Sequence, residues 1–72
     1  MRRLPVVSGR DLIRALGRLG YKVSRTKGSH ARLVCPGRPS VTVPLHAELD
    51  RGTLSAILNE AEMSADQLRS LL

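Results

Sequence analysis

The chain has 72 residues, enough for one domain spanning 1–72. A chain of this size buries only about 60% of its unfolded surface, so a deep substrate cavity is excluded and any chemistry must sit on an open face or edge. Residues 1–40 hold ten of the twelve basic residues beside one acid, Asp11, for a local charge of +9, while residues 41–72 carry −3 and the whole chain +6. A front half this basic reads as an electrostatic footprint for a polyanion, the bland alternative being a solvated surface kept soluble by its charge. No apolar run approaches the ~18 residues of a membrane span, and Arg2-Arg3 is not followed by an apolar segment. A cytoplasmic location with no membrane partner is therefore expected. Cys35, the only cysteine, reads as a small buried hydrophobe on an apolar strand.

The elements follow in chain order. Ser8 is a helix N-cap with Asp11 three residues on, and Leu12, Ile13, Leu16 and Leu19 recur at helical spacing opposite Arg10, Arg14 and Arg18. Gly20 is placed to end that helix with a positive φ. Tyr21–Thr26 and Ala31–Cys35 alternate as strands, and Pro36-Gly37-Arg38-Pro39 is a turn. Val41, Val43 and Leu45 make a third strand, with Pro44 marking the end or the edge of the sheet because it cannot donate to a ladder. A loop through Glu48, Asp50, Gly52 and Thr53 leads to a helix carrying Leu54, Ile57, Leu58 and Ala61. Ser64 and Gln67 form the capping box of a last short helix that packs Leu68, Leu71 and Leu72 inward. The expected class is α+β, in the order α-β-β-β-α-α, with helices on one face of a three-stranded antiparallel sheet.

Strand parity turns this into a site. With the apolar residues of each strand facing the helices, Lys22, Ser24, His30, Arg32, Thr42 and His46 face away. Matching the apolar sets calls for three-residue loops, Lys27-Gly28-Ser29 and Gly37-Arg38-Pro39. The second of these pairs Leu33 with Val43 and brings His30 opposite His46, with Cβ atoms about 5 Å apart. An isolated exposed histidine is by default an ordinary polar side chain. Two of them on a basic face are an acid–base pair near neutrality.

RNA supplies its own nucleophile, the 2′-hydroxyl, so its cleavage needs a base, an acid and charge stabilisation, but neither a metal nor a cofactor. His30 is the candidate base and His46 the candidate acid, with roles exchangeable, or His30 acts alone with lysine or water. Lys27 and Arg25 are placed to stabilise the phosphorane, and Lys22, Arg32 and Arg38, with Ser29 in the turn, to contact RNA. A zinc site fails: His46-x-Glu48 has no paired cysteines, and parity puts Cys35 on the face opposite the histidines. Base stacking fails as well, since Tyr21 is the only aromatic.

Four stretches, SGRDLIRALGRLGY (8–21), KGSH (27–30), VTVPLH (41–46) and RGTLSAILNEAEMS (51–64), resemble the HicA (YcfA-like) mRNA interferase toxins of bacterial toxin–antitoxin pairs. The resemblance covers about residues 8–70. It implies a double-stranded-RNA-binding-domain-like fold, endoribonuclease activity on mRNA, His30 as the catalytic histidine, and a HicB antitoxin that binds and blocks the site. Two positions depart from the pattern. Glu62 stands where many members carry glycine, and Ala31 and Arg32 stand where many carry aromatics. The alternative is a non-catalytic double-stranded-RNA-binding module or RNA-binding adaptor, in which the histidines only touch sugar or phosphate.

Overall fold

The computed structural model describes residues 4–72, so Arg2 and Arg3 lie outside the described residues. Helix α1 (Gly9–Leu19) leads into strands β1 (Lys22–Lys27), β2 (His30–Cys35) and β3 (Arg38–Pro44), then helices α2 (Arg51–Glu60) and α3 (Ala65–Leu71). The strands form one antiparallel sheet in the order β1-β2-β3. The expected α+β order is thus the observed one. Alternation decides the layers. Ala31, Leu33, Val41 and Val43 are buried against Leu12, Leu16, Leu54, Ile57, Leu58 and Leu68 of the helices, whereas His30, Arg32 and Val34 are exposed.

The caps are those the sequence announces. Ser8 Oγ accepts from the Asp11 amide, Gly20 closes α1 at φ 116°, and Ser64 and Gln67 form a reciprocal capping box. Helix α2 begins earlier than expected and takes in Gly52 and Thr53. The cause is the Asp50 carboxylate, which accepts from both the amide and the hydroxyl of Thr53 and so serves as N-cap. Those two bonds hold its pKa below the usual carboxylate value, with a smaller contribution from the charge of His46.

Both hairpins differ from expectation. Each has a two-residue turn, Gly28-Ser29 and Pro36-Gly37, made possible by glycines at φ 57° and 79°. The parity that a three-residue loop was expected to restore is restored instead by β-bulges. On the β1 side the extra residue is Ser24: Arg25 pairs with Arg32, but Val23 pairs with Leu33. Between β2 and β3 the register is two residues away from the expected one, with Leu33 opposite Val41 and His30 opposite Pro44. The shift conserves parity, so every buried side chain remains on the helix side. Val23 is nevertheless about half exposed, because it lies on an edge strand that the helices barely cover.

The start of α1 is seated directly on the end of β3. The Gly9 amide donates to the His46 carbonyl at 2.9 Å. A Cβ at residue 9 would run into the Pro44 carbonyl oxygen, so only glycine allows this approach. The Gly9→Ala variant should therefore lose about 1–3 kcal/mol despite alanine's better helix propensity. Glu62 is the opposite case, a non-glycine residue at φ 57° between α2 and α3. Glu62→Gly should gain about 1 kcal/mol by relieving the left-handed backbone. Thermal melts of the two variants should shift in opposite directions, by roughly 4–8 °C per kcal/mol.

Candidate active site

His30 is the first residue of β2, exposed on the open face of the sheet immediately after the Gly28-Ser29 turn. Side chains directly opposed across strands share a face and stand about 5 Å apart at Cβ. The β1–β2 register therefore makes a ladder of three rungs: His30 with Lys27, Arg32 with Arg25, and Val34 with Lys22. Successive rungs are about 7 Å apart. The bulge at Ser24 is what builds the ladder. Regular pairing back from Val23 and Leu33 would turn Arg25 and Lys27 toward the helix side, and the one inserted residue turns both outward beside His30.

The ladder is positively charged and unopposed. Residues 21–47 contain Lys22, Arg25, Lys27, Arg32 and Arg38 and no Asp or Glu. Arg25 directly faces Arg32, an arrangement that costs stability because like charges oppose. Among the described residues neither has a carboxylate partner. Arg32 is instead held by neutral groups. Its guanidinium donates to Ser40 Oγ at 2.7 Å, and its carbonyl accepts from Ser24 Oγ at 3.2 Å.

Two of the expected site residues are placed elsewhere. His46 is not opposite His30, a position that Pro44 occupies. It lies two residues further on, exposed, past the end of β3. Its carbonyl is bound by Gly9, and its charge acts on Asp50. The expected pairing failed because the β2–β3 turn is shorter and its compensating bulge falls within β3, which shifts the register by two. Arg38 begins β3 at the far end of the hairpin, about 17 Å along β2 from His30. Half-buried, it donates to the Ala61 carbonyl at 2.8 Å and thereby caps the end of α2. Ser29 stays in the turn, and its carbonyl accepts from the Leu45 amide at 2.6 Å, prolonging the β2–β3 ladder past Pro44. Ser24 and Ser40, which hold Arg32, carried no signal in the sequence beyond being polar.

Cys35 is at the opposite end of β2 from His30, and among the described residues no group of three or more His, Cys, Asp or Glu side chains is placed to hold a metal ion. Among the described residues no helix is long and apolar enough to cross a membrane. A groove of about 260 Å³ between α1 and the end of α3, lined by Val7, Ala15, Arg14, Arg18, Leu71 and Leu72, lies on the helix layer and takes no part in the ladder.

The fold and this face define a class: small α+β proteins that present one histidine among cations on an open antiparallel sheet. The family description of the HicA toxin of bacterial toxin–antitoxin systems matches residues 9–63, and the chain belongs to that family. Among solved structures it is similar to a chain of a toxin–antitoxin complex from Streptococcus pneumoniae. The TM-score is 0.69 at 28% identity, over 79% of this chain and 98% of that one. No curated protein matches the chain.

If the four cations of the three rungs, Lys22, Arg25, Lys27 and Arg32, meet phosphates, the slope of log K against log salt for single-stranded RNA should be about −3. A salt titration of RNA affinity measures it, and a flat response would count against a phosphate-reading face.

Proposed function

We propose that this toxin is an endoribonuclease that cleaves mRNA on the open face of its sheet, with His30 as the catalytic base. The observation that carries the reading is the placement of an exposed imidazole directly opposite Lys27, one rung from Arg25 and Arg32, on a strand segment without a single acid. His30 takes the proton of the 2′-hydroxyl, and the resulting alkoxide attacks the adjacent phosphorus. Lys27 offsets the charge of the phosphorane. The 5′-oxygen leaves and is protonated from water or from Lys27, giving a 2′,3′-cyclic phosphate and a 5′-hydroxyl end. Lys22, Arg25, Arg32 and Ser29 hold the strand. Arg38, tied to α2, contacts RNA only where a longer strand runs the length of the sheet.

His46 has a lesser part than His30 in this scheme, since the register leaves it off the ladder. No metal or other cofactor is called on, because the nucleophile comes with the substrate. The similar solved chain is part of a toxin–antitoxin complex, which supports a protein antitoxin as the partner here. A HicB-like antitoxin that covers the open face would stop cleavage by occlusion, and the cell would hold both proteins in its cytoplasm. The presence of one imidazole rather than two on the face also favours a second reading, an RNA-binding module in which His30 contacts phosphate without transferring a proton.

Induction of wild type, His30→Ala and His46→Ala in a bacterial host, with purified protein assayed on RNA, separates these. His30→Ala should lose about 10²–10⁴ in cleavage rate and its growth arrest, with an unchanged melting temperature because the side chain is exposed. His46→Ala should lose less than about tenfold. EDTA should not alter the wild-type rate. A His30→Ala protein that cleaves at the wild-type rate would leave the RNA-binding module as the better account.

A further inference from the structure

The Arg25–Arg32 rung differs from the His30–Lys27 rung in a way that the chemistry of cleavage does not require. Arg25 and Arg32 are directly opposed across β1 and β2, and among the described residues neither has a carboxylate partner. Folding alone would select against that opposition. Yet the fold keeps both side chains on the open face: a bulge at Ser24 turns Arg25 outward, Ser40 Oγ on β3 accepts from the Arg32 guanidinium, and Ser24 Oγ donates to the Arg32 carbonyl. One mobile arginine would suffice for general attraction to a polyanion. Two arginines whose Cβ atoms stand about 5 Å apart can reach one anion from two sides as a clamp, Arg25 from β1 and Arg32 from the side of β3, where Ser40 holds its guanidinium.

We infer that Arg25 and Arg32 form a second phosphate subsite, separate from the scissile position and one rung away from it. It takes the phosphodiester next to the one that His30 and Lys27 meet. Ser40 and Ser24 are positioning residues for it. The inference rests on the proposed RNA reading of this face, and it deepens it. The substrate is a single strand engaged through at least two consecutive phosphates, and the direction of the strand over the sheet is set by the side on which the second phosphate lies.

The clamp has a neutral alternative in which the two arginines are merely solvated, and oligonucleotide length separates the two. The probes are 2′-O-methyl oligonucleotides of two, three and four residues, with one, two and three phosphates, which cannot be cleaved. Their affinities for the full chain are measured by NMR titration at low salt. The wild type should gain about tenfold on going from one phosphate to two, the worth of one charge-assisted contact, and less from two to three. Arg25→Gln and Arg32→Gln should each remove most of the first gain, and Ser40→Ala part of it. Arg18→Gln, on α1, should leave it in place.

The melting temperature of Arg25→Gln should be equal to or above that of the wild type, since the substitution relieves a like-charge pair and breaks no bond. A first gain absent from the wild type, or retained in both arginine variants, would overturn the clamp. So would a clear fall in the melting temperature of Arg25→Gln, which would make the pair a structural one. The all-ribose oligonucleotides report separately on cleavage. A protein that shows the stepwise affinity but does not cut them keeps the clamp and loses the nuclease reading, and one that cuts them without the step does the reverse.

Discussion

Strand β1 has to serve two masters along six residues: it continues a core at its start and presents charge to solvent at its end. Tyr21, just before it, is buried, and its hydroxyl donates to the Pro39 carbonyl at 2.7 Å, so the entry to β1 is locked to the helix side. Strict alternation from that lock would carry Val23, Arg25 and Lys27 inward together. The residue inserted at Ser24 breaks the alternation once. Everything on the open face depends on that break, because it sets Lys27 against His30 and Arg25 against Arg32.

The energetic consequences run the same way. A ladder of cations without acids gives nothing to the fold, and the Arg25–Arg32 opposition takes something from it. The stability is supplied on the other face, where Leu12, Leu16, Leu33, Val41, Val43, Leu54 and Leu68 are fully buried. The two faces are coupled at one point. The α1 N-terminus rests on Pro44 and His46, directly behind the position that His30 faces. Gly9 thus belongs to the core in energetic terms and to the site in positional ones, since it fixes the strand end against which His30 is paired.

What the sequence made legible is what local rules govern. Ser8, Gly20 and Ser64 bracket helices because orphan amides and carbonyls must be satisfied where helices end. The apolar period of two predicted which side of β2 and β3 is buried, and Pro44 was expected at an end or edge and occupies both. The register was not legible to better than parity. Shifting β3 by two residues leaves every apolar contact of the same kind, so nothing in the hydrophobic pattern distinguishes His46 from Pro44 as the partner of His30. Bulges are equally silent: Ser24 is an unremarkable polar residue, and its effect appears only when two strands are paired. Arg38 was misplaced for a different reason. A basic residue in a turn looks free, and its half-buried bond to the Ala61 carbonyl comes from an element 23 residues away.

A core this thin favours recognition spread along the surface over recognition in a deep cavity. On the proposed reading that constraint explains why selectivity would come from spacing rather than from enclosure. The rungs repeat about every 7 Å along strands whose geometry the core holds rigid, and a flexible strand of RNA must match that spacing to put one phosphodiester at His30. The same openness makes the site easy to cover. A partner needs only a surface that follows the sheet and carries carboxylates where the phosphates would lie, and the unpaired arginines then gain the anions that the chain itself does not provide.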